Sequence, residues 1–572
     1  MKKTLLFLIF CLTGYIVNAQ YDFEELEINP NSNGDSSPHS FVEFNGEIYF
    51  NAFNDNSGRE LWKTDGTQAG TTLVKDLYTG TSFFQQNSGD PRRLTVLNGE
   101  LFFTAKTSAE GRELWKTDGT EAGTVIVKDI LTGVGDGVVS GYQPFTIFNN
   151  KIVFIADEPG TSNTYLYESD GTYTGTKPIS TLAQMWFSSQ IESDICIYNN
   201  SLIFEGRNSN GANLGRELWK TDGTQAGTTL VKDINPGSSN SFPREMTVFN
   251  NIVYFHVEDN THGDELWQTD GTLAGTILVK DINPGASGGI GSHAKFTEFN
   301  SRLYFLADDG IHGREIWLTD GTELGTEMLL DINSTGNQWS IPIGDGTQQT
   351  FYVFQNKLYF KATDSFNGGN IADNIEPWES DGTASGTNMI SDLNTSGNSM
   401  NQYNYFIGHN NKIFFTTNDF SNATLGNLYV YDLMNTPIKI SPPNTTATDV
   451  GTDFLRPIIF NESLYISASF EINNVAKGSE LWKISDNTLS IEIIEEEKIS
   501  IYPNPTSSTL KINFSNDHTI KSVKLYNVRG QKMTFNFDKQ NNIIDVRDLA
   551  KGVYILNIQT ENKVITKKII KE

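Results

Sequence analysis

Short apolar runs alternate with short polar turns through most of the first 490 or so residues, and no stretch carries a helical period. The pattern returns as a unit. Its clearest part reads Glu-Leu-Trp-Lys-Thr-Asp-Gly-Thr or a decay of it, with the aromatic at Trp62, Trp115, Tyr167, Trp219, Trp267, Trp317, Trp378, Tyr429 and Trp482. Successive aromatics lie 53, 52, 52, 48, 50, 61, 51 and 53 residues apart. Self-similarity at a period of about 50 marks one supersecondary unit used repeatedly. Each unit opens with a short apolar strand such as residues 296–299. A two-residue turn follows, from Asn45-Gly46 to Asn461-Glu462; Asn and Gly tolerate the positive φ of type I′ hairpins. The second strand is almost continuously apolar, as in residues 303–307, which suits burial on both faces. A third strand carries Glu-Leu-Trp. Asp-Gly-Thr-x-x-Gly-Thr then turns the chain into a fourth, such as residues 229–234.

Four antiparallel strands per unit predict an all-β fold, a β-propeller-like ring of about nine four-stranded repeat units, either one oversized ring or a ring with an irregular unit left outside it. Residues 23–30 (FEELEINP) match the fourth strand and exit turn of residues 229–236, so they are expected to complete the last unit beside Glu480-Leu481-Trp482. Beyond residue 497 the period stops. Alternating strands at 499–502, 510–514, 520–528, 533–537, 543–546, 553–559 and 564–570 predict a small Ig-like β-sandwich. Charge supports the division. The chain carries −27, but residues 498–572 hold 13 basic against 6 acidic side chains, +7, leaving −34 before them. So acidic a surface disfavours nucleic acid and anionic membranes as partners.

The repeated block resembles the ELWxxDGTxxGT repeat family of secreted bacterial proteins, over most of residues 21–495. Units three (Tyr165-Leu166-Tyr167), eight (Asn427-Leu428-Tyr429) and nine (Ile484-Ser485-Asp486-Asn487) depart from it. The resemblance implies repeated β architecture and no particular reaction. The tail closely resembles the type A C-terminal sorting domain of the type IX secretion system of Bacteroidetes. The marks are Tyr502-Pro503-Asn504-Pro505, the run from Leu525 to Gln531 with Gly530, the run from Asp548 to Tyr554 with Gly552, and the basic ending with Lys567 and Lys568. That resemblance implies interaction with the type IX machinery, passage through the outer membrane, and a secreted or surface-attached product. At the other end, Lys2 and Lys3, the apolar stretch 5–17 and Val17-Asn18-Ala19 have the form of a Sec signal peptide. The expected plan is therefore a signal peptide over 1–19, the repeat domain over 20–495 and the sorting domain over 496–572. Cys196 is then the one cysteine left, expected to be a small buried side chain, and no later stretch is long and apolar enough for a membrane helix.

Chemistry is sparse. The repeated Asp (Asp65, Asp118, Asp170, Asp222, Asp270, Asp320, Asp381) precedes Gly and recurs in most units, which favours a turn-capping role over calcium. The repeated Trp, by the same recurrence, is packing rather than a sugar platform. Glu60, Glu113, Glu217, Glu265, Glu315, Glu376 and Glu480 form a ladder, not a pair singled out at a glycosidase separation. His262 and His312 come one per unit and could share a metal only if their loops converge. No catalytic residue, metal site or cofactor is expected. Insertions fall in the fourth-to-first and second-to-third links, which leave the same end of the strands. At the opposite end the first-to-second turn is two residues in every unit and the third-to-fourth turn is uniform in all but the last two. Variable loops on a rigid scaffold carry ligand contacts, so Phe83, Phe84, Tyr142, Trp186, Phe187 and Trp339 on the variable end are the candidate ligand-binding residues. These features point to a non-enzymatic, secreted or cell-surface binding and adhesion protein whose propeller face meets a glycan or protein. The alternatives are a secreted propeller hydrolase of polysaccharide or glycoprotein and a structural surface-layer component.

Overall fold

The computed structural model describes residues 21–30, 34–82, 85–141, 143–161, 163–184, 195–208, 214–291, 294–334, 339–341, 349–364, 374–395, 397–401, 404–418, 426–449, 457–473, 475, 478–486, 500–502, 506–513, 520–527, 531–559 and 564–572. Among them every regular element is a β-strand. The chain divides into two compact units, Met1–Asp486 and Asn487–Glu572.

In the first unit each repeat forms its own antiparallel sheet, with its strands in sequence order. The first repeat is representative: strands His39–Phe44, Glu47–Asn54, Gly58–Thr64 and Thr72–Lys75. Both residues of every first hairpin take positive φ, from Asn45 (52°) and Gly46 (76°) to Asn461 (45°) and Glu462 (60°). Two such residues in succession give the turn a twist that matches its strands. The ninth sheet takes its fourth strand from the start of the chain. Tyr21–Leu26 pairs antiparallel with Glu480–Asp486, Glu25 opposite Trp482 and Leu26 opposite Leu481, as the sequence match requires.

The sheets share cores in pairs. Leu101, Phe103, Ala105 and Trp115 of the second pack on Phe44, Tyr49, Leu61 and Val74 of the first. Phe460, Tyr465 and Leu481 of the ninth pack in the same way on Ile48, Phe50, Ala52 and Trp62 of the first. Hydrogen bonds cross this last-to-first junction: Lys483 Nζ donates to the Gly66 carbonyl (3.1 Å), and the Gln68 amide exchanges two bonds with the Glu27 backbone (2.7 and 2.9 Å). The repeated Trp side chains are buried in these interfaces. Cys196 is buried too, and its burial pushes the thiol up to about 11.

The variable links add short pairings that carry no readable hydrophobic pattern. Thr81–Ser82 pairs with Gln85–Gln86, Ala183–Gln184 pairs with the end of Ser201–Asn208, and Thr445–Asp449 pairs with the end of Ser463–Ile472.

The second unit is two four-stranded sheets around a core that includes Leu510, Leu525, Ile544 and Leu556. The single strand expected over 533–537 divides. Lys532–Met533 pairs with Ser522–Asn527 in one sheet, while Asn536–Asp538 pairs with Ile543–Asp545 in the other. Changing sheets lets both Met533 and Phe537 pack against the shared core.

Candidate functional site at the variable ends of the sheets

The uniform end is built by one turn. Asp65 Oδ1 accepts from the Thr67 amide (2.9 Å) and the Thr67 hydroxyl (2.7 Å); that hydroxyl in turn accepts from the Gly70 amide (3.0 Å). Thr71 Oγ1 closes the turn on the Thr67 carbonyl (2.8 Å). The same bonds recur at Asp118, Asp170, Asp222, Asp270, Asp320 and Asp381, and the Thr hydroxyls hold these carboxyls below their ordinary range. Each Asp is thus committed to its own turn.

The ladder of Glu residues organises the opposite end. Glu265 is fully buried, and its carboxylate accepts from the amides of Ile282 (2.8 Å), Asn283 (3.1 Å) and Gly289 (2.7 Å), fastening the fourth-to-first link to the third strand. Glu60 holds Leu77, Tyr78 and Gly89 in the same way, and Glu480 holds Ile28 and Asn29 beside the N-terminal strand. In four units a Ser hydroxyl supplies part of the set: Ser241 to Glu217 (2.6 Å), Ser340 to Glu315, Ser399 to Glu376 (2.5 Å) and Ser36 to Glu480 (2.9 Å). Burial pushes Glu60 and Glu315 up to about 8 and Glu113, Glu217, Glu265, Glu376 and Glu480 up to about 7, against the downward pull of the donors. The sequence showed the ladder; the links it fastens lie 17 to 29 residues further along the chain, or for Glu480 at the opposite end of the repeat region, and only the fold shows the contact.

Charged and polar side chains pair within and between sheets at this end. Asp90 accepts from Arg92 Nε (2.8 Å), Arg112 Nη2 (2.8 Å) and Asn51 Nδ2 (3.2 Å) of the preceding sheet, and the two arginines hold its carboxyl low despite burial. Glu205 pairs with Arg216 (2.5 Å), His256 with Asp264 (2.7 Å) and Lys295 with Glu245 of the preceding sheet (3.6 Å). His262 and His312 each turn Nδ1 to an aspartate of their own loop, Asp259 (2.8 Å) and Asp309 (2.7 Å). Among the described residues no three His, Cys, Asp or Glu side chains gather around a common metal position.

Of the six candidate aromatics, Trp339 is described. It is 38% exposed and lies over the Arg314 guanidinium at 4.1 Å. Its neighbour Ser340 is fully buried and donates its amide to the Arg314 carbonyl (3.1 Å), so the indole is presented from a fastened link. Phe83, Phe84, Tyr142, Trp186 and Phe187 lie outside the described residues, as does the stretch 1–19 expected to be a signal peptide.

In the second unit, Tyr502 ends an opening strand and is exposed. Tyr554 is buried, its hydroxyl donating to the Ala550 carbonyl (2.8 Å), two residues beyond Gly552, which begins the strand Gly552–Gln559. Lys567 and Lys568 pair with Leu556 and Ile555 within the closing strand. Pro503, Asn504, Pro505 and Gly530 lie outside the described residues.

No curated protein matches the chain in sequence. Among solved structures it is similar to PorZ, described as an essential bacterial surface component of the type-IX secretion system of Porphyromonas gingivalis. The identity is 12% and the TM-score 0.29, over 94% of this chain and 82% of that one. A puromycin hydrolase matches at 10% identity and TM-score 0.33, and a puromycin-hydrolyzing peptidase of Mycobacterium tuberculosis at 9% and 0.35; each match covers 68% of this chain and 59% of the other. Likenesses this low bear on neither activity nor ligand. The tail is different: residues 500–572 match the secretion system C-terminal sorting domain, and the chain therefore ends in the tag that marks type IX cargo for the cell surface or the medium.

Proposed function

We propose that this protein is a non-enzymatic binding and adhesion protein. Its nine sheets close into a propeller-like ring, and the variable end of that ring meets an extracellular glycan or protein. On this proposal a signal peptide over residues 1–19 starts export, residues 20–495 are the ring of ELWxxDGT-type repeats, and residues 496–572 hand it to the type IX machinery. One observation carries the binding assignment. The repeated Asp turn makes one end of the sheets uniform, whereas at the other end individual links are pinned by buried Glu side chains and present groups such as Trp339. Rigidly held, individually shaped loops are where recognition concentrates. The same bonds support a binder over a hydrolase, because each Glu of the ladder already serves its own link. Ring closure is supported by the shared core and hydrogen bonds between the ninth and first sheets.

The test is a glycan and extracellular-matrix array probed with the full chain and with Trp339→Ala. Saturable binding without turnover is expected, roughly tenfold weaker in the variant, the loss of about 1.4 kcal/mol typical of one aromatic contact. Binding unaffected by Trp339→Ala together with the deletion of other variable links, or hydrolysis of any array component, would reject it. Export is tested separately: a chain ending at residue 497 is expected to accumulate in the periplasm of a type IX-competent host.

A further inference from the structure

Every sheet carries the same three-residue row across its first three strands. In the first sheet it is Phe41, Phe50 and Trp62, with Phe50 opposite Trp62 and Phe41 packed on Phe50 at 5.6 Å between ring centroids. The row faces the preceding sheet. Its middle position is Phe in eight consecutive sheets, from Phe50 to Phe415, each paired with the repeated Trp or Tyr. In the ninth the row becomes Pro457, Ile466 and Trp482. An aromatic ring is missing at Ile466, and the large apolar side chain beside it is reduced to Pro457. Trp482 does not take up the space: its Nε1 donates to the Ala468 carbonyl (3.0 Å), and its ring lies edge-on to Phe470 at 4.8 Å.

An open cleft lies at that place between the eighth and ninth sheets. Its walls include Ile407, Phe414 and Leu428 of the eighth sheet and Pro457, Leu464 and Ile466 of the ninth. Thr416 and Ser467 line it as well, neutral hydroxyl groups already bonded within the protein, Thr416 Oγ1 accepting from Asn404 (3.1 Å) and Ser467 Oγ bonded to Ser479 Oγ (2.7 Å).

We infer that this cleft is a binding site for an uncharged aromatic ring. The other interfaces show what the surrounding surfaces complement, because in them the chain's own Phe occupies the equivalent position. Among the described residues no ionised side chain lines the cleft, so a charged ring would lose hydration with none of them to replace it. A mostly apolar concavity with a few polar groups is the usual form of a small-ligand site. The inference does not depend on the adhesive role of the variable end, since it uses none of the same residues.

The experiment is ligand-observed NMR titration of the full chain with phenol and with N-acetyl-phenylalanine amide, benzoate serving as the charged comparison. Saturable binding of phenol is expected, with benzoate at least tenfold weaker. Binding of the phenylalanine amide as well would identify a side-chain ring as an acceptable source; its failure would restrict the site to free small aromatics. Ile466→Phe restores the residue of the other eight sheets and should reduce phenol binding at least tenfold while retaining the far-UV circular dichroism of the parent. If that variant does not fold, Pro457→Phe fills the same cleft from the first strand and decides the matter. Absence of saturable phenol binding, equal binding of benzoate, or retention of binding in the folded filled variant would overturn the inference.

Discussion

Gly66 sits at φ +92°, and a Cβ there would lie 2.4 Å from the Tyr465 hydroxyl of the ninth sheet. Gly46, at φ +76°, has nothing within 4 Å of the equivalent point. The two separate backbone strain from steric contact. Gly46→Ala is expected to lower unfolding free energy by about 1 kcal/mol, and Gly66→Ala by about 2–4 kcal/mol because the Tyr465 side chain of the neighbouring sheet must also move; urea unfolding of both variants checks the difference. Asp-Gly was readable as a turn from the sequence, but the reason that this glycine is required lies in another repeat. The buried Glu ladder gives a second residue-scale expectation. Folded pKa values of about 7 to 8 stand above the ordinary 4.5, so the neutral acid is favoured on folding. Stability from these groups is full below about pH 4.5 and is lost as pH rises through about 7 to 8. The melting temperature of the repeat region should therefore fall between about pH 5 and pH 8, and Glu265→Gln, which keeps the carbonyl acceptor but cannot ionise, should lessen the fall. A flat profile over that range would show that the amide donors outweigh burial.

Among the elements, the strand Tyr21–Leu26 has the most exacting position. It pairs along its whole length with Glu480–Asp486, and the amides of Ile28 and Asn29 just beyond it satisfy the buried Glu480. Removing residues 21–30 would uncover an edge strand and leave a buried carboxylate without two of its donors. Amide exchange in Glu480–Asp486 is expected to accelerate at least tenfold in that deletion, with exchange in the fifth and sixth sheets unchanged. This pairing was foreseeable because residues 23–30 repeat the composition of the other fourth strands. The strands of each unit were foreseeable for a related reason, since apolar runs bounded by Asn-Gly or Asn-Asn admit few alternatives. The two-residue pairings at Thr81–Ser82 and Ala183–Gln184 were not. They are too short to carry a period, and they form because a longer link brings them together.

At the scale of the molecule, the proposed closure of the ring predicts that its ends are interchangeable. Tyr21 lies opposite Asp486 in the register of the ninth sheet, so a short turn could join them. A circular permutant of the repeat region, joined there and opened in the exposed link near Gly237, is expected to melt within a few degrees of the parent; an open stack of sheets would lose its end caps differently and melt lower. By itself the sequence determined the repeat, the strands, the hairpin geometry, the source of the missing fourth strand and the sorting tail. Each of these is encoded locally, by periodicity, by turn residues or by a contiguous motif. Only the tertiary structure decided what the Glu ladder holds, which sheets share a core, how Arg314 presents Trp339, and where Ile466 leaves a cleft. Those contacts join residues from different links or different repeats, and one chain read along its length contains no record of which side chains will face each other across an interface.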